Sequence, residues 1–276
     1  MKLISSFFIL SISITCLGQN EFYFPFGKNV NLRDYSDNQS STIDSFIISL
    51  PPELYYYKND PGIKDHLFAI DINGDQLSDI IFNGITGSDY NYLFVYINTG
   101  ESFVNVFSGG ETIDKIVFSN NKLDMLYVED DDCCCTYINT ATIYKLDNST
   151  LFPQFNILKR QYAVENIILP SNYYPIEKKL KVKDSDCKVR FSPEKNDTST
   201  SYYCGDEGQG NIIGSLKKNS FLFVLAEQSD PAGSVWYFCA IPDDINFIST
   251  IYYETSNNPE YYQLGWVSSI FVTSDK

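Results

Sequence analysis

The chain has 276 residues, 35 acidic against 20 basic, for a formal charge of -15 at neutral pH. That sign argues against nucleic acid or an anionic membrane as the partner, since both repel an acidic protein. Aromatic residues make up 16% of the chain, including 21 Tyr and 20 Phe, and suit pleated sheet better than helix.

Lys2 is followed by the apolar stretch Leu3 to Ile14, the length of a signal-peptide h-region rather than a membrane span, and Cys16-Leu17-Gly18 supplies small residues for cleavage. Residues 1–18 therefore read as a removed secretory signal, and the mature chain as secreted or held in the periplasm or cell envelope. Acylation at Cys16 is the alternative, and Thr15 fits it poorly because a small residue usually stands there. Removing this segment takes away Lys2 and no acid, so -15 becomes -16. No later segment reaches the roughly 18 apolar residues of a spanning helix.

From Glu21 to about Phe155, short runs of β-branched and aromatic residues separated by Gly or Asn predict antiparallel strands. They fall at Ile43 to Leu50, Leu67 to Ile70, Asp79 to Phe82, Tyr92 to Ile97, Ser102 to Phe107, Lys115 to Phe118, Leu123 to Val128 and Thr136 to Lys145. No amphipathic helix is expected.

Between the second and third of these runs lies Asp71-Ile72-Asn73-Gly74-Asp75-Gln76-Leu77-Ser78-Asp79. Asp71, Asn73, Asp75 and Asp79 offer side-chain oxygens at positions one, three, five and nine, and Leu77 offers a carbonyl at seven. That nearly fills the six to eight oxygen ligands of calcium. A polar turn is the alternative, though a turn needs only one or two such residues. Position twelve is Phe82, not the Glu of an EF-hand, so the loop leads into a strand. With its flanking apolar runs and Asn98-Thr99-Gly100, the segment resembles one FG-GAP or VCBS-type repeat. The resemblance implies a calcium-binding hairpin in a blade-like sheet. That pattern has Gly at position six, where the backbone turns left-handed; this chain has Gln76. A single repeat cannot close a propeller.

Six cysteines remain after cleavage: Cys133, Cys134, Cys135, Cys187, Cys204 and Cys239. An even count in an exported chain points to disulfides, with 15 possible pairings. Glu129 to Asp132 beside the triplet allows a metal site on paper, but neither CxxC spacing nor a nearby His supports it.

Tyr174 to Asp184 is basic and interrupts the acidic pattern, which makes residues 171–186 a linker between a module at 19–170 and another at 187–276. Leu180 and Val182 could add an edge strand there. The second module carries Cys187-Lys188-Val189-Arg190-Phe191-Ser192-Pro193, Asn211-Ile212-Ile213-Gly214-Ser215-Leu216-Lys217-Lys218-Asn219, Trp236-Tyr237 and Gly265-Trp266-Val267 in order. It resembles a bacterial SH3-like (SH3b) domain, and the resemblance implies a small barrel. Asn219 replaces a usual Gly, and Pro242 to Gln263 is a long insertion that puts a standard ligand groove in doubt. The alternative is an unrelated small β domain. Asn29 to Arg33, with Ser40 to Ile43, also looks like an SH3-like opening, or else a plain strand and turn.

The fold class expected is mainly β, with an antiparallel sheet module bearing the calcium hairpin and a C-terminal SH3-like barrel. The single His, His66, has no nucleophile or metal-binding motif around it, so no enzymatic chemistry is expected. Two functions follow: a calcium-dependent binding or adhesion protein contacting a cell-wall component or protein, or an accessory or inhibitory, immunity-like protein with one protein partner.

Overall fold

The computed structural model describes residues 22, 31–36, 40–85, 91–131, 138–164, 166–174, 178–185, 187–198, 210–243, 246–249, 258 and 260–274. Helix α1 (Ser40–Ile48) precedes β1 (Leu67–Ile70), β2 (Asp79–Ile85), β3 (Asn91–Asn98) and β4 (Phe103–Gly109), paired antiparallel in that order. A second antiparallel meander follows: β5 (Thr112–Ser119), β6 (Lys122–Asp131), β7 (Ile138–Asp147) and β8 (Gln154–Val164). The remaining strands are β9 (Lys178–Val182), β10 (Cys187–Arg190), β11 (Ile212–Leu216), β12 (Phe221–Ser229), β13 (Val235–Pro242), β14 (Phe247–Ser249), β15 (Tyr261–Ser268) and β16 (Val272–Ser274). The protein is mainly β, as its composition predicts. Among the described residues no helix is long and apolar enough to cross a membrane.

Strands β1–β3 are buried on both faces, which explains the unbroken apolar runs Ile80-Ile81-Phe82 and Leu93 to Ile97, while the edge strand β4 is only half-buried. One face, with Ala69, Ile80, Phe82, Phe94 and Tyr96, packs against Phe46 of α1 and the 3-10 turns Pro52–Tyr57 and Pro61–His66. The other, with Ile70, Ile81, Leu93, Val95 and Ile97, packs against Ile113, Ile116, Leu126 and Val128 of the second meander. The β5–β6 hairpin turns at Asn120 and Asn121, with φ of 53° and 60°. Two positive φ values mark the turn whose twist suits a two-residue hairpin, and Asn tolerates that conformation.

The strand expected at Ile43 to Leu50 is instead helix α1. Ile43, Phe46, Ile47 and Leu50 face the core while Ile48 is 88% exposed. These positions follow the i, i+3, i+4, i+7 rule of an amphipathic helix, which outweighs the strand preference of the β-branched residues. The SH3-like opening at Asn29 to Arg33 is not a strand where it is described: Leu32–Asp34 is a 3-10 turn capped by Asn31, with Leu32 buried.

Residues 171–186 are more than a linker. β9 lies inside the second sheet, between β12 and β16, with Leu180 and Val182 in its core. The two halves are joined as well: β8 pairs in parallel with β15, Arg160 opposite Tyr261 and Tyr162 opposite Gln263. Ile138 and Val164 enter the C-terminal core.

The expected barrel does not close. Its ladder runs β14-β11-β10-β15-β13-β12-β9-β16, and no pairing joins the two ends among the described residues. The strands nonetheless share one interior, built from Val182, Val189, Ile213, Leu222, Val224, Ile241 and Val267. Gly265 of the Gly-Trp-Val motif is where β10 crosses β15, for a Cβ there would lie 2.4 Å from Val189 Cγ1. Asn219 adopts φ 73°, the left-handed conformation implied by the usual Gly.

The six cysteines were expected to form disulfides. Cys187 and Cys239 are instead buried free thiols in the apolar interior, where each fills space as a small apolar side chain. Burial pushes the Cys187 thiol up to about 12, and that of Cys239 well above the usual range. Cys133, Cys134, Cys135 and Cys204 lie outside the described residues.

Candidate functional site

The loop 71–79 closes the β1–β2 hairpin at the junction of the two meanders. Its carboxylates and its Asn fold it inward by accepting backbone N–H groups. Asp71 Oδ1 accepts from Gly74 N at 2.7 Å and Oδ2 from Gln76 N at 3.0 Å. Asn73 Oδ1 accepts from Asp75 N at 3.0 Å, and Asp75 Oδ1 from Leu77 N at 2.8 Å. Asp79, fully buried, accepts from Ile72 N and Asn98 N, both at 2.8 Å.

Two left-handed residues let the loop turn this tightly. Gly74 has φ 77°, and a Cβ on it would come within 2.8 Å of Lys122 Cγ. Gln76 has φ 72°, the conformation implied by the Gly at position six of the repeat pattern. A side chain can adopt it, at a cost of roughly 1–2 kcal/mol.

The loop is anchored to both sheets. Leu123 N donates to the Ile72 carbonyl at 2.8 Å, and Asn73 Nδ2 donates to the Leu151 carbonyl at 3.3 Å. Asn98 binds twice, its amide to Asp79 and its Nδ2 to the Ser78 carbonyl at 3.1 Å. Its Oδ1 then caps Gly100 N at 2.9 Å, so Asn98-Thr99-Gly100 is a second wall of the site. The positioning role of Asn98 was not read from the sequence, although the motif that contains it was.

Asp79 is the electrostatic centre. Burial raises its pKa most, the amides of Asn98 and Ile72 lower it, and the charges of Asp75 and Asp71 raise it again, to about 7. An ionised carboxylate has about four lone-pair sites. Asp71, Asp75 and Asp79 each spend two in this loop, since Asp75 Oδ2 also accepts from Asn73 Nδ2. The remaining acceptors are hard oxygen, the donor chemistry calcium takes. As placed, no three His, Cys, Asp or Glu side chains among the described residues stand close enough together to hold a metal ion. Leu77 is exposed at the rim of a cleft of about 600 Å³, lined by Ser41, Thr42, Ser45 and Ser49 of the helical segment and by Asn98 and Ser102.

A second polar cluster lies between the meanders and was not anticipated. Buried Glu111 accepts from the Tyr144 hydroxyl at 3.0 Å through Oε1, and its Oε2 is buried with no hydrogen-bond partner among the described residues. Burial pushes Glu111 up to about 7 despite the Tyr144 bond and the Arg160 charge, which act the other way. His66 is a packing residue: its ring lies against Tyr57 and Phe82, and Nδ1 is 3.2 Å from the Asn83 carbonyl. Both motif tryptophans are buried, Trp236 donating to Asp230 Oδ2 at 3.1 Å and Trp266 to the Ile168 carbonyl at 2.6 Å.

No family model, curated protein or solved structure matches this chain.

Proposed function

We propose that this chain is an exported, non-enzymatic binding protein of the cell envelope in which the loop 71–79 takes up calcium and so fixes the junction between its two meanders. The observation that carries the reading is the loop's hydrogen-bond register, in which positions one, three, five and nine all accept loop or neighbouring amides while keeping oxygen lone pairs to spare. The backbone is already bent at Gly74 and Gln76, so the loop has the turn that a cation site on it requires. Three carboxylates crowded into nine residues repel one another without a cation, and a divalent ion removes that cost. The four-stranded meander that bears the loop on its first hairpin supports the blade-like resemblance.

Isothermal titration with calcium and with magnesium, in chelator-treated protein, tests the metal. Heat from calcium that Asp75→Ala abolishes is expected; no heat from calcium in the wild type overturns it. A pull-down from envelope extract then tests the role. Retention on cell-wall material supports a binding or adhesion protein, whereas a single stoichiometric protein partner favours an inhibitory, immunity-like role.

A further inference from the structure

The chain is acidic, yet six of its 20 basic residues stand in two short segments that the fold brings together. Lys178, Lys179, Lys181 and Lys183 lie on or just after β9, and Lys217 and Lys218 form the turn between β11 and β12. Asn219 N donates to the Val182 carbonyl at 2.8 Å and Val182 N to the Ser220 carbonyl at 2.9 Å, which fastens that turn to the end of β9. Leu180 and Val182 point into the core, so Lys179, Lys181 and Lys183 share the opposite face. Alternate residues of a strand are about 6.6–6.8 Å apart. The three lysines are therefore spaced as a row along β9 and just past its end.

This row is flanked by an aromatic ring. Phe221, on β12 opposite Lys181, is 37% exposed, with Lys179 Nζ 4.3 Å and Lys181 Nζ 5.6 Å from its centroid. Among the described residues, none of Lys178, Lys179, Lys181, Lys183 or Lys218 makes an ion pair. Among the described residues these ammonium groups thus have no ion-pair partner, which leaves their charge available to an external anion.

We propose that this lysine face binds a linear, phosphate-bearing polymer. A row rather than a pocket suits an extended chain. A flat anionic membrane would also meet the acidic remainder of the surface, whereas a narrow polymer follows the row alone. All six residues are Lys, which meets phosphate as a compact point charge, without the bidentate fork that Arg offers to carboxylate and phosphate alike.

The test is fluorescence anisotropy with labelled inorganic polyphosphate, over a salt series, on the full chain. Binding at low salt is expected, weakened at least tenfold in Lys179→Gln/Lys181→Gln/Lys183→Gln/Lys218→Gln. The slope of log affinity against log salt should become shallower by about 2 to 3, given about 0.7 per phosphate contact on a single strand. These side chains are largely exposed, so circular dichroism and the melting curve should stay as in the wild type. Lys58→Gln/Lys64→Gln/Lys115→Gln/Lys145→Gln makes the same change in net charge elsewhere and should keep binding within twofold. The proposal is overturned by no binding of polyphosphate at low salt, or by equal losses in the two variants. It is equally overturned if polyglutamate or phosphatidylglycerol vesicles bind as tightly with the same lysine dependence, since the partner would then be a carboxylate polymer or a membrane.

Discussion

Trp266 Nε1 donates to the Ile168 carbonyl at 2.6 Å, so the indole of the closing strand is held by the chain segment that leaves β8. The ring is fully buried beside Phe238, with centroids 5.2 Å apart. Trp266→Ala should cost about 3–5 kcal/mol, as truncation of a large buried side chain does. Trp266→Phe keeps most of the packing but leaves the Ile168 carbonyl without its donor, a loss of about 1–3 kcal/mol. Urea midpoints of the two variants check the order; full stability of Trp266→Ala would show that the residue faces a ligand rather than the core.

The same contact predicts the behaviour of fragments. Val164, Ala163 and Ile138 belong to cores completed by the C-terminal strands, and β8 loses its β15 partner if the chain stops at residue 170. A fragment ending there is expected to exchange its β7 and β8 amides far faster than the full chain. Equal hydrogen-exchange protection in both would show that the first half folds unaided.

How much of this was readable follows from the range of each interaction. The loop 71–79 was legible as a tight turn because its alternating Asp and Asn residues and its left-handed position are both local. The strands β2 and β3 were legible because burial on both faces leaves unbroken apolar runs. Helix α1 was misread although its spacing was present, since Ile43, Ile47 and Ile48 carry the β-branched signature of strand. β8 reads Gln154-Phe155-Asn156-Ile157-Leu158-Lys159-Arg160, too polar to announce a strand until β7 and β15 pair with it. Glu111 and Tyr144 are separated by 33 positions, and they meet only once β5, β6 and β7 have paired.

Gln76 and Gly74 make opposite predictions from the same kind of backbone. Gln76→Gly relieves a left-handed side chain, so it should stabilise the calcium-free protein by about 1 kcal/mol after the entropy cost of the glycine. Gly74→Ala meets both an unfavourable φ and Lys122 Cγ at 2.8 Å, and should destabilise by more than that. Thermal melts of the two variants, in chelator, compare them directly.

Asp75 and Asp79 separate metal from fold. Asp75 is exposed, so Asp75→Ala should lower the calcium-free melting temperature only slightly, through loss of the bonds from Leu77 N and Asn73 Nδ2, while removing the rise that calcium gives the wild type. At a hundredfold excess over its dissociation constant, that rise corresponds to about 2.7 kcal/mol. Asp79→Ala should lower stability even in chelator, because the amides of Ile72 and Asn98 lose their acceptor inside the protein. Identical melting curves in calcium and chelator for the wild type would remove the metal from the account.

Glu111 makes stability fall as pH rises. Its carboxyl is held at about 7 in the folded chain against an ordinary value of 4.5, because burial disfavours the charged form more than Tyr144 and Arg160 favour it. Between those values the folded state binds the extra proton, so its contribution is complete below about pH 4.5 and lost as pH climbs through 7. A shift of this size is worth on the order of 3 kcal/mol. Glu111→Gln cannot ionise, and its side-chain oxygen still accepts from the Tyr144 hydroxyl. The variant should therefore match the wild type near pH 4.5 and exceed it at pH 8, read from urea midpoints at both values. A wild-type advantage at pH 8 would mean that Arg160 pairs with an ionised Glu111 strongly enough to reverse the sign.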